Sequence, residues 1–162
     1  MARRYSKVAT GGTFDELHAG HERLLEESFA AGDEVVIGLT SDKFAGSQGK
    51  HPAHSFAQRE AALRSHIARH FPGRKYSISK LEDFFGPGIT NPDVKALVAS
   101  PETGKRVELA NQMRAASGYP PLELVVVRWV NADDGKPIST TRVRRGEIDR
   151  DGKLRKRGAR GP

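Results

Sequence analysis

The stretch TGGTFDELHAGH, residues 10–21, decides the fold of this chain. It is expected to form the turn between a first strand, residues 5–9, and a first helix, residues 18–31. Gly11 and Gly12 carry no Cβ, so the backbone there can adopt a positive φ and come close to a ligand. The helix would direct its free N–H groups and the positive end of its dipole back at this turn. The arrangement predicts a binding site for a phosphate group.

Two histidines, His18 and His21, stand three residues apart in this stretch. One helical turn separates them, so both imidazoles are expected on the same side of the helix. At neutral pH they can donate hydrogen bonds to phosphate oxygens, and a neighbouring phosphate favours their charged form. The alternative is a structural or solvent-facing pair, because a strand, a glycine-rich turn and a helix are common in α/β proteins.

The composition limits the class of protein. The 162 residues are enough for one domain with a hydrophobic core, and 36% of them are hydrophobic and 29% charged. The chain contains no cysteine, which excludes disulfides, thiolate catalysis and cysteine-ligated zinc and favours a cytoplasmic location. No apolar run approaches the roughly 18 residues that span a bilayer, and the start of the chain lacks the apolar segment of a signal peptide. No membrane association is expected.

The positive charge is concentrated at the end of the chain. Residues 142–162 carry nine basic and three acidic side chains, which accounts for +6 of the formal net charge of +7. We expect a domain over residues 1–148 and a basic, flexible tail over residues 149–162. Such a tail can bind nucleic acid, although we expect no specific nucleic-acid partner.

The hydrophobic pattern alternates between strands and helices and predicts a single doubly wound, Rossmann-like α/β domain. The expected sheet is parallel and five-stranded with order 3-2-1-4-5, and the site lies above the switch point between the first and fourth strands. A polar loop is expected over residues 40–54. The further predicted strands cover residues 34–39, 75–81, 94–99 and 122–127, and the further predicted helices cover residues 55–70, 100–116 and 138–148.

A second anion-binding stretch, ISTTRVRRG, occupies residues 138–146. Ser139, Thr140 and Thr141 stand at a predicted helix start, where their hydroxyls and the free N–H groups can donate to phosphate oxygens. Arg142 adds positive charge. The alternative is an ordinary helix cap with a basic solvent face. Two phosphate cradles facing one cleft would suit a polyphosphate such as ATP.

These two stretches also carry a resemblance. GTFD-x-x-H-x-G-H and IS(S/T)T-x-(I/V)R are similar to the two signature motifs of the nucleotidylyltransferase superfamily. Between them the chain resembles the archaeal and eukaryotic type of phosphopantetheine adenylyltransferase, over roughly residues 5–148. The residues that match this middle pattern are Asp83, Gly86, Pro87, Ser100, Glu102, Thr103 and Asn111.

The resemblance implies transfer of AMP from ATP to 4′-phosphopantetheine, which gives dephospho-CoA, the precursor of CoA, and pyrophosphate. It implies that His21 contacts the α-phosphate, that His18 holds ATP phosphates and that Thr13 binds the acceptor phosphate. Lys43, with Lys50 as the alternative, is expected to bridge the reacting phosphates. The nucleotide-binding set implied in full is Gly11, Gly12, His18, His21, Glu102, Asn111, Ser139, Thr140, Thr141 and Arg142. Mg²⁺ is expected to bind together with ATP.

Several points stay open at this level. Gly104-Lys105-Arg106 departs from the family pattern, so either basic residue can be the one that meets the nucleotide. Arg59 is a weaker candidate for the crevice, and a structural ion pair is an equal alternative. The other activities to consider are glycerol-3-phosphate cytidylyltransferase, FMN adenylyltransferase and, from another class, a non-catalytic nucleotide- or RNA-binding protein. The oligomeric state is not indicated.

Overall fold

The computed structural model describes residues 3–83, 86, 90–128 and 130–155. Its centre is a parallel sheet of five strands in the order β3-β2-β1-β4-β5, which confirms the predicted topology. The strands are β1 (Tyr5–Gly12), β2 (Gly32–Thr40), β3 (Lys75–Leu81), β4 (Ala96–Ala99) and β5 (Glu123–Val126). The helices are α1 (Ala19–Ala31), α2 (Asp42–Ser47), α3 (Phe56–His70), α4 (Pro101–Gly104), α5 (Val107–Ala116) and α6 (Thr140–Arg144).

Alternating side chains of the central strands build a core on each face of the sheet. Val35 and Ile37 of β2 point to one face, where they join a buried cluster that includes Leu25 and Phe29 of α1. Val36, between them, joins a smaller cluster on the other face. Because both faces of β1 and β2 are covered, the carboxyl ends of the strands are the exposed part of the sheet on which a site can form.

Three predicted elements differ from the structure. The predicted loop over residues 40–54 contains the short helix α2, whose start is capped by the Ser41 hydroxyl accepting from the amide of Phe44. The predicted helix over residues 100–116 is broken into α4 and α5. Gly104 ends α4 against β5, where a Cβ would lie 3.0 Å from Leu124 Cδ2. The predicted last helix is shortened to α6, because Gly146 adopts a left-handed φ of +73°.

Residues 147–155 form a short β-turn structure, here called the C-terminal hairpin. Ile148 and Leu154 pair in an antiparallel bridge, and Ile148 is fully buried. Residues 149–155 are therefore in contact with the domain. Residues 156–162, the rest of the predicted basic tail, lie outside the described residues, so a flexible tail stays a prediction for them.

The long loop predicted after β3 is described only in part. Phe84, Phe85 and Pro87 lie outside the described residues, as does Trp129 further on. Within the part of the chain that is described, no helix combines the length and the apolar character that crossing a bilayer would need.

Candidate active site

The first cradle begins where β1 ends. Gly11 and Gly12 belong to β1 itself, which corrects the expectation that they form a turn with positive φ. Gly11 allows close strand packing instead, because a Cβ there would lie 3.1 Å from the carbonyl oxygen of Gly38 in β2. The chain turns at Phe14, whose φ is +48° and whose ring is buried 5.0 Å from the ring of His21.

His18 is the N-cap of α1 and lies just outside the helix. Its Nδ1 accepts a hydrogen bond from the amide of Gly20 at 3.0 Å. Gly20 leaves the space for this ring, because a Cβ at that position would lie 2.7 Å from His18 Cε1. The glycine of the HAGH motif thus allows an imidazole to serve as the helix cap, a task more often carried out by Ser, Thr, Asp or Asn.

His21 completes a reciprocal arrangement with His18. Its Nδ1 accepts from the amide of His18 at 3.3 Å, and the two rings stack with centroids 3.9 Å apart. Each Nδ1 is therefore an acceptor, which places the proton of the neutral ring on Nε2. Both histidines share one side of the helix start, as predicted, and each has Nε2–H as the donor that the cap does not use.

Burial keeps both imidazoles neutral in the free protein. It lowers the pKa of His18 to about 4 and that of His21 to about 3. For His21, the charge that His18 would carry when protonated and the charge of Lys50 lower the pKa further, while a hydrogen bond to the Glu16 backbone and the charge of Asp15 oppose this shift. The charged form expected from the sequence therefore requires a bound phosphate, which would raise both pKa values.

The two candidate lysines follow β2 in different positions. Lys43 lies in the first turn of α2 and is exposed. Lys50 is also exposed, lies beyond the end of α2, and is close enough for its charge to act on His21. Which lysine meets the reacting phosphates stays a prediction, with Lys43 as the first choice and Lys50 as the alternative.

Asp15 joins three segments around the cradle. Its carboxylate, of which 4% is exposed, accepts from the amides of Ala53 and His54, each at 3.0 Å. It also lies 3.2 Å from His54 Nδ1 and accepts from the Arg144 guanidinium of α6 at 3.4 Å. Burial opposes ionisation, but the amides of Ala53 and His54 and the His54 ring outweigh it and hold the pKa of Asp15 below its usual range. The sequence motif did not indicate this role of Asp15, because the residues that Asp15 binds are distant from it in sequence.

Arg59 is a buried structural residue, with 1% of its surface exposed. Its guanidinium donates to the carbonyls of Thr13, Thr40 and His54, and it pairs with Asp42. It thereby ties together the carboxyl ends of β1 and β2 and the loop that follows Lys50. Of the two alternatives left open, the structure supports the structural one.

The second cradle is α6. Ser139 is its N-cap, and the Ser139 hydroxyl accepts from the amide of Arg142 at 3.2 Å. The Arg142 guanidinium is held by Asp134 and Glu147, which raise its pKa. Two carboxylates thus already pair with Arg142, and its predicted contact with phosphate stays a prediction. Arg144, two residues on, points instead to Asp15 and the carbonyl of His51.

The start of α1 and the helix α6 pack against the same small cluster. Ile138, Ile148 and Ala132 are buried together there, and Ala19, the first residue of α1, and Val143 of α6 pack against them. A cavity of about 410 Å³ lies between the end of α6 and the C-terminal hairpin, lined by Glu16, Val143, Arg144, Asp149, Arg150, Asp151 and Arg155. Its lining includes none of the predicted phosphate-binding residues. Thr140 and Thr141 keep the positions at the start of α6 that the sequence assigned to them.

The other predicted nucleotide contacts have mixed outcomes. Asn111 accepts from the amide of Leu122 at 2.7 Å and donates to its carbonyl. Because Leu122 precedes β5, these bonds hold Asn111 near the amino end of that strand, and its contact with the nucleotide stays a prediction. The side chain of Glu102 lies outside what the structure describes. The choice between Lys105 and Arg106 stays open.

Among the residues that the structure describes, no three His, Asp or Glu side chains are grouped so as to hold a metal ion. The Asp15 carboxylate is already committed to Arg144 and to backbone donors. The described side chains therefore do not form a protein-built metal site.

Known proteins resemble the chain over most of its length. The cytidylyltransferase-like family model matches residues 9–146. The phosphopantetheine adenylyltransferase of Methanothermobacter thermautotrophicus is 42% identical over 160 residues, covering 97% of this chain and 94% of the relative. That of Methanosarcina mazei is 44% identical over 153 residues, covering 93% and 97%.

Two solved structures are similar to this one. A protein of unknown function from Archaeoglobus fulgidus superposes with a TM-score of 0.67 and 32% identity, covering 75% of this chain and 88% of the other. A lipopolysaccharide core biosynthesis protein from Thermoplasma volcanium has a TM-score of 0.61, with 76% and 98% covered, and at 22% identity shows the fold alone.

Proposed function

The chain belongs to the cytidylyltransferase-like family and, within it, to the phosphopantetheine adenylyltransferases, and from this premise we propose that it transfers AMP from ATP to 4′-phosphopantetheine. The products are dephospho-CoA and pyrophosphate, so the activity belongs to coenzyme A biosynthesis. One observation supports the chemistry above the others. His18 and His21 are stacked at a helix start with both Nδ1 atoms used as caps, so that Nε2–H is the donor on each ring that can reach phosphate oxygens. His21 also has a hydrogen bond to the backbone of Glu16, which a phosphate oxygen would replace.

The reaction needs charge stabilisation more than proton transfer. The phosphate of 4′-phosphopantetheine is already an anion, so one of its oxygens can attack the α-phosphorus of ATP in line without a strong base. The P–O bond to the β-phosphate breaks as the new one forms, and pyrophosphate leaves with the electron pair. The barrier comes from bringing two polyanions together and from the charge on the transition-state oxygens, so positioned donors provide the catalysis.

We assign roles from the positions of the side chains. His21 would contact the α-phosphate and gain a proton as the phosphate raises its pKa, and His18 would hold ATP phosphates. Lys43, or Lys50 as the alternative whose charge acts on His21, would bridge the reacting phosphates. The Thr13 hydroxyl would bind the acceptor phosphate, since Arg59 fixes the Thr13 carbonyl at the end of β1.

The second cradle would hold the leaving group. Ser139, Thr140 and Thr141, at the start of α6, are proposed to bind the β- and γ-phosphates. Mg²⁺ would neutralise phosphate charge when it enters with ATP, held by the phosphates and water because the described side chains offer no carboxylate cluster. A cytoplasmic location stays a prediction.

A substrate panel tests the proposal. ATP or CTP is combined with 4′-phosphopantetheine, glycerol-3-phosphate or FMN, pyrophosphate release is measured, and the nucleotide product is identified by mass. We expect dephospho-CoA from ATP and 4′-phosphopantetheine, with the other five pairs giving background rates. A CDP-linked product from glycerol-3-phosphate, or an adenylylated flavin, would instead establish one of the two alternative transferases.

A further inference from the structure

The C-terminal hairpin contacts the helix start that carries both imidazoles. The amide of Ala19, the first in α1, donates to the carbonyl of Arg150 at 2.9 Å. The guanidinium of Arg150 lies 3.0 Å from the carboxylate of Glu16, two residues before His18. Two bonds thus join one residue of the hairpin to both sides of His18.

These bonds complete the hydrogen bonding of the helix start. The first amides of a helix have no partner within the helix and must find one elsewhere. Gly20 donates to His18 Nδ1, and the amide of His18 donates to His21 Nδ1. Ala19 lies between them and receives its acceptor from the hairpin. The two histidine rings therefore accept the hydrogen bonds of the neighbouring amides, and the hairpin accepts the hydrogen bond of the remaining amide, that of Ala19.

The hairpin is itself held firmly. Ile148 is fully buried in the cluster against which Ala19 packs. The Asp149 carboxylate accepts from the amides of Asp151 and Lys153, which fixes the turn. The carbonyl of Gly152 accepts from the amide of Asp133 at 2.9 Å.

We propose that the C-terminal hairpin is a positioning element of the active site, with Arg150 as the residue through which it holds His18 and His21 in place. The inference depends on the proposed function only for its activity readout. Residues from Glu147 to Arg155 would therefore belong to the catalytic domain, beyond the boundary at residue 148 that the sequence suggested. A displacement of catalytic groups by about 1 Å can lower turnover by up to about 10²-fold. The contacts of Arg150 with Ala19 and Glu16 are therefore expected to affect the rate.

Gly152→Ala tests the hairpin, with Gly118→Ala as the matched control. Both glycines have left-handed φ values, +87° and +78°, so both variants carry similar backbone strain. A Cβ at Gly152 would also lie 2.9 Å from Ala132 Cα, whereas none of the described atoms lies within 4 Å of a Cβ at Gly118. Both variants are assayed well below their unfolding temperatures, with ATP and 4′-phosphopantetheine.

We expect Gly152→Ala to lower kcat by about ten-fold with little change in KM, because the affected contacts act on transition-state groups. Hydrogen exchange at the Ala19 amide should become faster, while the amides of the buried middle of α1 stay protected. Gly118→Ala should show neither effect. A kcat equal to that of Gly118→Ala, or a lowered kcat with an unchanged Ala19 amide, would overturn the inference. Failure of the proposed function would show differently, as no dephospho-CoA from the unmodified chain.

A second test keeps the hairpin intact. Arg150→Ala, Glu16→Ala and the double variant form a cycle that isolates the ion pair. We expect each single change to lower kcat by about two- to five-fold, and the double change to cost little more than either. NMR titration of His18 and His21 should show pKa values moving toward the ordinary range in each single variant. Additive effects on kcat with unmoved histidine pKa values would contradict the role of Arg150.

Discussion

Each imidazole of the HAGH motif caps the helix start through Nδ1, and the proposed mechanism gives it a second function through Nε2. The Nδ1 atoms of His18 and His21 satisfy amides of their own helix start, at 3.0 and 3.3 Å. That use fixes the tautomer and the ring orientation, which leaves the Nε2–H groups for substrate. The same local bonds that begin α1 therefore also orient the two rings, and the hairpin completes the helix start at the Ala19 amide.

His21→Ala should lower kcat by about 10²-fold or more while the protein stays folded, because one donor to the transition-state oxygens is lost. The control is His70→Ala, which removes an exposed imidazole at the end of α3. Pyrophosphate release measures both. A folded His21→Ala variant with near-normal turnover would remove His21 from the proposed mechanism.

Gly20→Ala should be destabilising, against the usual trend for glycine within a helix. Alanine is ordinarily favoured there by about 1 kcal/mol. At Gly20, however, the new Cβ would lie 2.7 Å from His18 Cε1 and displace the capping ring. We expect a lower unfolding temperature and a lower kcat. Gly46→Ala in α2 is the control, since none of the described atoms lies within 4 Å of a Cβ at that position. It should be neutral or stabilising, and equal effects from both variants would contradict the steric explanation.

At the scale of the elements, the ends of the strands are held by buried guanidinium groups. Arg59 on α3 gathers carbonyls from the ends of β1 and β2. Arg114 on α5 binds carbonyls at the opposite, amino ends of the strands. It donates to Asn91 and Val94, which precede β4, and to Pro120, which precedes β5. Such carbonyls lie beyond the regular ladder of the sheet and would otherwise be buried without donors.

Arg59→Leu should lower the free energy of unfolding by about 3 kcal/mol, since it leaves several buried acceptors without a donor. The control is Arg64→Leu on the same helix, where a half-exposed side chain pairs with Glu60 at 3.6 Å. That change should stay within about 0.5 kcal/mol. Urea unfolding measures both variants, and similar losses in the two would show that the buried bonds of Arg59 contribute little.

At the scale of the whole molecule, two groups of side chains give stability different dependences on pH. His18 and His21 have pKa values of about 4 and about 3, far below the ordinary histidine value. The carboxylates of Asp15, Asp42 and Asp134 have lowered pKa values, because of hydrogen-bonding and charged partners. As the pH falls, stability is therefore lost first through the two histidines, and protonation of the three carboxylates lowers it only at more acidic pH.

Stability should fall as the pH is lowered from about 6.5 to about 4, because the unfolded chain takes up protons on His18 and His21 that the folded chain does not. For each histidine, a folded-state pKa that is lower than the unfolded one by about one pH unit corresponds to about 1.4 kcal/mol at full effect. His18→Asn keeps a capping side chain but cannot titrate, so its stability should depend less on pH in this range. Urea unfolding at several pH values measures the slopes, and equal slopes for the two proteins would show that His18 is not buried as a neutral ring.

Local patterns were sufficient for the strands of the sheet, for α1 and α3 and for the pairing of the two histidines, but not for α2, for the break between α4 and α5 or for the short α6. The alternation of strands and helices predicted the sheet order, and the residues of β3 were predicted as observed, 75–81. Helix α3 begins with a capping box of Ser55 and Gln58, a pattern that is defined by a spacing of three residues and so can be recognised in the sequence. The pairing of His18 with His21 could likewise be read from spacing, because helix geometry alone brings residues three apart to one side.

Interactions between neighbours along the chain could be read before the fold was known: the alternation of strands and helices that indicates a parallel sheet, and the two histidines of one helical turn. Interactions between groups far apart in sequence appear only in the folded chain. Asp15 meets Arg144, Arg142 pairs with Asp134 and Glu147, and the carbonyl of Arg150 accepts from the first amide of α1. Charges and hydrogen-bond donors take the nearest partner in space, and only the packing of α6 and the hairpin against the HAGH turn decides which partner that is.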